Sequence, residues 1–480
     1  MTQRMDRLPG LPDGLAGFLL VLPWVQPWAP GPQSNTVPWL VSGAVLALLL
    51  ALAPAPGARM LARTWAWAAL LGSAMGLLQY FGLAQHLSGW VFVPDHLGEA
   101  MGNLRQRNQL ATLTSIGAVA VLWWHRQGLA PRHGLWMLAL LAAGNAATAS
   151  RTGLLQWLVL PALLALWQWT AQPRRPVWSW PLLLWALGMY LLASLLLPQA
   201  LFAWQGIDAS NALFRMGENN GCSSRRVLWD NVLYLIGQRP WTGWGWGELK
   251  YAHYITPYPG ERFCEILGHA HNLPLHLAVT LGLPVAVVLI AGTGVGVLRA
   301  RPWRADRPEA SLAWGVIAMI GLHSLLEFPL WYGPFQLALL GAVLLLWPNL
   351  ARGWARHRSS VRAVAIGALC VMALVAYDYQ RVRQIYLPSV QRVAVWADDP
   401  WGAAGRTWFF GSTVAFARVT STPVTPDNAA EMLEASQALL HYSPEPRVVR
   451  QLIDSAQQAG HEDLARWHRR QLQVVYGERR

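Results

Sequence analysis

The chain has 480 residues, 54% of them hydrophobic and only 13% charged, with a formal net charge of +13. Soluble domains carry roughly 25% charged residues, so this composition, with a mean hydropathy of +0.27, excludes an ordinary soluble protein and predicts a membrane protein. The positive charge does not point to nucleic acid, because most arginines fall in short turns between apolar runs, as membrane topology demands.

In chain order, apolar runs of spanning length occupy residues 15–28, 36–53, 64–83, 110–124, 134–149, 153–169, 180–197, 273–298, 312–330, 335–347 and 361–377. They predict about eleven transmembrane helices, the first and tenth being short against a span of ~20 residues. Alternate turns carry arginine: Arg59 and Arg63, Arg126 and Arg132, Arg174 and Arg175, Arg299 to Arg307, and Arg352 to Arg362. All of these fall on one side together with Arg4 and Arg7, while the turns near Pro30 and Trp331 carry none. The positive-inside rule then makes the N-terminus cytoplasmic and puts the loop 84–109, the large loop 198–270 and the tail on the opposite face. Arg4 and Arg7 precede a run that reads as a first span, not as a cleavable signal peptide.

The expected fold is all-α and polytopic. It comprises an N-terminal transmembrane bundle (1–197), a large periplasmic loop (198–270), C-terminal transmembrane helices (271–378) and a periplasmic helical tail (379–480). In the tail, apolar residues recur at helical spacing between Asn428 and Tyr476, with Pro444 and Gly460 separating the helices. Helix pairs of this size are TPR-like, and the plainer reading is a small helical cap.

The polar clusters fall at the outer ends of the spans. Residues 268–284 read G-H-A-H-N-L-P-L-H-L-A-V-T-L-G-L-P and crowd His269, His271 and His276 into a helix mouth. Asn272 reads as an N-cap with Pro274 in the first turn, so the helix N-terminus suits a phosphate, with His271 beside it for proton transfer. The plainer reading is a set of interfacial histidines. Arg151, in A-S-R-T-G, opens the sixth span, where a cation needs an anion nearby or snorkels to water. Residues 223–229 read S-S-R-R-V-L-W, placing Arg225 and Trp229 on one face if helical. The following R-P-W-T-G-W-G-W-G offers tight turns and aromatic faces for sugar rings or for the membrane interface, and lacks the ending of a Walker loop. His323 and Glu327 lie four apart in H-S-L-L-E-F-P-L. A carboxylate in hydrocarbon costs ~2.5–3.5 kcal/mol, so Glu327 should meet Arg225, Arg151 or His323, as a ligand-binding group or as a structural clamp. No H-E-x-x-H or C-x-x-C pair is present, and no metal site is expected. Cys222 and Cys264 share the loop assigned to the oxidising side, and a disulfide between them is expected.

The ordered set S-R-T-G, S-x-R-x-x-x-W, P-x-x-G-x-G-x-G and H-A-H-N-L-P-L-H-L with a following G-L-P resembles the O-antigen ligase and polymerase superfamily of bacterial membrane glycosyltransferases. Two more segments, Q-R-N-Q-L-A-T-L (106–113) and H-S-L-L-E-F-P-L (323–330), look most like its protein-directed branch, the PglL-type O-oligosaccharyltransferases that glycosylate pilin-like proteins. The resemblance implies an inner-membrane enzyme that transfers a glycan from undecaprenyl pyrophosphate to an acceptor hydroxyl in the periplasm, with no cofactor or metal. Its partners are then the lipid-linked glycan, an acceptor protein and membrane lipids. Carried onto this sequence, Arg151 and Arg225 hold the pyrophosphate and His271 is the base, with Asn272, His269, His323 and Glu327 lining the site. Arg226 and His269 are the neighbouring alternatives for Arg225 and His271. Lipid A-core ligation and O-antigen polymerisation are alternatives that use the same donor. A transporter is the non-enzyme alternative, and it predicts ionisable residues near the midplane of several spans and an internal repeat.

Overall fold

In a computed structural model, residues 12–28, 31–52, 55–170, 178–216, 221–304 and 307–477 are described, and they contain helices and turns but no strand. Arg4, Arg7, Pro30, Arg174 and Arg175, used above to assign sidedness, lie outside the described residues, as does the side chain of Arg352. The helices begin with α1 (Asp13–Val25), α2 (Thr36–Leu52), α3 (Ala58–Tyr80), α4 (Arg107–Arg126), α5 (Pro131–Ala147), α6 (Arg151–Thr170), α7 (Trp180–Gln205) and α8 (Ala212–Met216). Next come α9 (Arg225–Gln238), α10 (Leu249–Ile255), α11 (Leu273–Leu281), α12 (Leu283–Arg299), α13 (Pro308–Leu326), α14 (Gly333–Leu346), α15 (Pro348–Arg356) and α16 (Arg358–Arg383). The tail adds α17 (Ala394–Ala397), α18 (Pro400–Gly405), α19 (Gly411–Ser421), α20 (Ala429–Tyr442), α21 (Pro446–Gln458) and α22 (Glu462–Tyr476).

Each expected apolar run falls on helix. Four helices, α6, α7, α13 and the stretch Arg358–Tyr386, are long and apolar enough to cross a membrane by length and composition, and α1, α2, α12 and α14 are shorter apolar helices. Outward faces are greasy, as at Leu184, Leu195, Val287 and Val288, because lipid and not water is their solvent. Two boundaries differ most from expectation. The seventh helix continues through Pro198 to Gln205, and the Ser194 carbonyl that the proline leaves without its helical donor accepts from Asn211 Nδ2 at 3.1 Å.

The run 273–298 is two helices, broken at Gly282 (φ 83°, ψ 159°). The break is made by the glycine-tryptophan string. Trp244 N–H donates to the Val279 carbonyl at 2.9 Å, Gly245 N–H to Thr280 at 3.0 Å, and Leu283 N–H to Pro240 at 2.7 Å. These bonds satisfy the carbonyls that a helix end leaves orphaned, which is a requirement wherever irregular backbone is buried. A Cβ on Gly243 would stand 2.5 Å from the Thr280 carbonyl, so that glycine is dictated by close approach.

Cα packing divides the chain into two compact units, Met1–Glu218 with Gly296–Met372, and Asn219–Val295 with Ala373–Arg480. This grouping places most of the large loop, helices α11 and most of α12, and the tail together. In the first unit α4 is the central helix, buried without a gap from Gln109 to Trp123. Small residues let its neighbours approach: Gly117 faces Ala69 of α3, and Gly144 of α5 faces Ser73. Between apolar helices in lipid, such packing and interhelical hydrogen bonds replace the hydrophobic effect as the cohesive terms.

In the second unit, α9 buries Leu228, Val232 and Leu235 against Leu249 and Ala252 of α10 and against Ala278 and Val279 of α11. Helices α20, α21 and α22 share a core around Val448, Leu452 and Ala465, which Tyr254 of α10 completes. The Tyr254 hydroxyl lies 2.8 Å from His468 Nδ1. Burial pushes the His468 imidazole down to about 4, so it sits in that core as a neutral ring.

Candidate functional site

Two arginines of the first unit share one local construction. Arg107 and Arg151 are the first residues of α4 and α6. Each helix is capped by the side chain before it: Gln106 Oε1 accepts from Gln109 N–H at 2.7 Å, and Ser150 Oγ from Gly153 N–H at 3.0 Å. Each cap follows a non-glycine residue in the left-handed region, Arg105 (φ 59°) and Ala149 (φ 48°). Such residues persist only where the surroundings hold them, and the resulting turn sets a guanidinium at a helix N-terminus. A cation there is disfavoured by about 0.3–1 kcal/mol unless an anion lies alongside.

Glu99 brings a carboxylate alongside. Its Oε1 is 2.8 Å from Arg107 Nη1 and 3.2 Å from Arg215 Nη1. Arg151 Nη1 donates to the Arg215 carbonyl at 3.4 Å. Three guanidiniums and one carboxylate thus gather where two capped helices begin, and Arg107 also feels the charge of Glu327.

Under this cluster lies a buried polar chain. Asn108 Nδ2 donates to Glu327 Oε1 at 3.1 Å, and Ser150 Oγ donates to Asn108 Oδ1 at 2.6 Å. The motifs Q-R-N-Q, S-R-T-G and H-S-L-L-E-F therefore meet through side chains. Glu327 is 7% exposed and has left the helix: it is the C-cap of α13, so it does not share a helical face with His323 as the four-residue spacing had implied. Asn108 is a partner the sequence reading did not name. His323 is 1% exposed, with Nδ1 2.9 Å from Thr112 Oγ1, and Gln156 Nε2 donates to the same hydroxyl at 2.9 Å. His323 is thus held inside the packing of this unit by the Thr112 hydroxyl. It ties α4, α6 and α13 together from inside.

In the second unit, Ser224 Oγ accepts from Val227 N–H at 3.3 Å and caps α9, making Arg225 its first residue. Arg226 points away, 91% exposed and 3.9 Å from Asp230. Cys222 and Cys264 are joined by a disulfide with Cα atoms 5.5 Å apart. One helical turn past Arg225, Trp229 Nε1 donates to the Ala270 carbonyl at 3.1 Å, coupling α9 to the histidine loop.

The three histidines of that loop differ. His276 is 6% exposed; its Nδ1 accepts from Ala270 N–H at 3.4 Å, and its ring stacks on His269 with centroids 5.1 Å apart. It buttresses the loop from within. His271 is only partly buried and stands in the left-handed region (φ 48°), directly before the cap residue Asn272, whose Oδ1 accepts from Leu275 N–H at 3.0 Å. Asn272 is thus committed to the backbone, and His271 is the partly exposed ring at the helix mouth beside His269.

Sequence reasoning missed Arg107, Arg215 and Glu99. Arg107 carried a signal, an arginine directly after a potential cap and at the start of an apolar helix, as in S-R-T-G. Glu99 lies in an irregular stretch and Arg215 in the five-residue α8, too short for a periodicity to mark it. Among the described residues, no group of three or more His, Cys, Asp or Glu is placed to hold a metal ion.

Comparison with known proteins assigns these segments to described families. Residues 100–125 match the family described as protein glycosylation ligase, 136–290 the O-antigen ligase family, and 311–480 the C-terminal region of a virulence factor membrane-bound polymerase. The first match contains Arg107 and Asn108, the second Arg151, Arg225 and His271, and the third Glu327. A general O-oligosaccharyltransferase of Acinetobacter baylyi is 26% identical over 332 residues, 65% of this chain. The chain spans about half the length of that relative, 55% of it.

Proposed function

We propose a function that follows from descent, since the chain belongs to the superfamily of O-antigen ligases, membrane-bound polymerases and protein glycosylation ligases. In this reading it transfers a glycan en bloc from undecaprenyl pyrophosphate to a serine or threonine hydroxyl of a periplasmic or pilin-like protein. The observation that carries it is the cluster of Arg107, Arg151 and Arg215 at two capped helix starts, a ready-made receptor for a polyanion. Planar guanidiniums and helix N-termini suit pyrophosphate, and they contribute most as charge develops on the leaving group.

Arg225 opens its own capped helix and is the further pyrophosphate ligand. His271 takes the acceptor proton: the hydroxyl oxygen bonds to the anomeric carbon, the bond from that carbon to the phosphate oxygen breaks, and undecaprenyl pyrophosphate departs with the electron pair. Departure of an activated phosphate provides the driving force, which suits a site on the face where no ATP is present. Similarity to a general O-oligosaccharyltransferase and to the protein glycosylation ligase family favours a protein acceptor. The O-antigen ligase match over 136–290 supports a second reading, with lipid A-core or a growing polymer as acceptor and the same donor site.

Cells with and without the gene separate the two. Loss of glycan mass from periplasmic proteins with unchanged lipopolysaccharide supports protein transfer; intact glycoproteins with truncated lipopolysaccharide move the assignment to ligation.

A further inference from the structure

Away from this cluster, α1 and α3 enclose a cleft of about 420 Å³ that none of the comparisons assigns to a ligand. It is lined by Asp13, Phe18, Val21, Arg59, Arg63 and Trp67 among others, so it combines apolar walls with charges of both signs. Arg59 and Arg63 lie one turn apart on α3, and the Arg63 guanidinium sits over the Trp124 ring at 5.2 Å. Among the described residues neither arginine forms an ion pair, although Asp13 lines the same cleft. The two signs face a common space without closing on each other. Phe18 is 61% and Trp67 47% exposed, and Phe18 belongs to the apolar helix α1.

We propose that this cleft binds the headgroup of a phosphoethanolamine lipid. Its phosphodiester lies between Arg59 and Arg63, its ammonium donates to the Asp13 carboxylate, and its acyl chains run along Phe18, Val21 and Trp67. Basic pockets between transmembrane helices at the membrane surface are established lipid headgroup sites. The carboxylate narrows the choice. A phosphatidylglycerol headgroup offers Asp13 only neutral hydroxyls in place of a charged donor, and a trimethylammonium has no N–H to donate. The inference rests on neither the glycan chemistry nor the proposed base.

Native mass spectrometry of the full-length protein, exposed to equal amounts of phosphatidylethanolamine and phosphatidylcholine with identical acyl chains, tests it. The two probes differ only in three N-methyl groups. One bound phosphatidylethanolamine should be retained over phosphatidylcholine by about two- to fivefold, the worth of a solvent-accessible ion pair. Asp13→Asn should bring the ratio to one, and the double variant Arg59→Gln/Arg63→Gln should lose both lipids while keeping the wild-type melting temperature in lipid-free detergent. Equal retention of the two lipids by the wild type overturns the proposal. So does an unchanged ratio in Asp13→Asn, or preferential retention of phosphatidylglycerol when that lipid is offered.

Discussion

Trp229 donates its indole N–H to the backbone carbonyl of Ala270, 3.1 Å away, and so fastens the helix that opens with Arg225 to the residue before His271. Trp229→Phe keeps the ring and removes the donor, leaving the carbonyl without that partner at a cost of about 1–3 kcal/mol. Affinity for the lipid donor should stay within about twofold, while transfer falls about tenfold as the histidine loses its register. Measuring both on one purified variant checks it; weakened donor binding with unchanged turnover would show that Trp229 serves the arginine and not the histidine.

His271 holds a left-handed conformation that costs a non-glycine residue about 1–2 kcal/mol. His271→Gly should therefore raise the melting temperature of the protein by a few degrees while slowing transfer ~10²–10⁴-fold. His271→Ala, which keeps the backbone cost, should slow transfer as much without the gain. Equal melting temperatures for the two variants would remove backbone strain from the account.

The Cys222–Cys264 disulfide closes a loop across 42 positions, worth about 4 kcal/mol if it acts mainly on the unfolded chain. Under denaturing, non-reducing conditions an alkylating reagent should label Cys370 alone. Replacing both partners by serine should lower stability and transfer together, because the bridge lies just before Arg225. Labelling at all three cysteines would contradict the pairing.

Much of this organisation was legible beforehand. The cap at Asn272 and the first-turn Pro274 follow from local chemistry that does not depend on the rest of the fold. Pro444 and Gly460 likewise separate the tail helices where local rules put them. What stayed hidden was set at a distance. The break at Gly282 needs the backbone of Trp244 and Gly245, supplied from more than thirty positions earlier in sequence order (about 35 residues). Glu327 finds Asn108 across 219 positions, and no spacing rule reaches that far. The four-residue interval from His323 to Glu327 misled because the helix stops between them, sending one side chain inward and the other to the cap.

Burial holds the imidazoles of His253 and His468 down, to about 3 and about 4. In the unfolded chain both titrate near 6.5, so between those values the unfolded state binds protons that the native state refuses. Stability should be level above pH 6.5 and fall steadily as the pH drops toward 4. A series of melting temperatures checks this, and His468→Phe should flatten the slope. A flat profile in the wild type contradicts the neutral, buried assignment.

The division of labour between His271 and Arg225 is the most direct test. Donor binding and glycan transfer are measured on purified His271→Ala and Arg225→Ala with a lipid-pyrophosphate glycan and a pilin-like acceptor, Arg226→Ala serving as the exposed control. The account predicts that His271→Ala binds donor normally and transfers ~10²–10⁴-fold more slowly. Arg225→Ala should bind donor about 10- to 100-fold more weakly, through loss of one charge-assisted contact, and Arg226→Ala should resemble the wild type. Near-normal transfer by His271→Ala, or loss of donor binding in that variant, would contradict its assignment as the base.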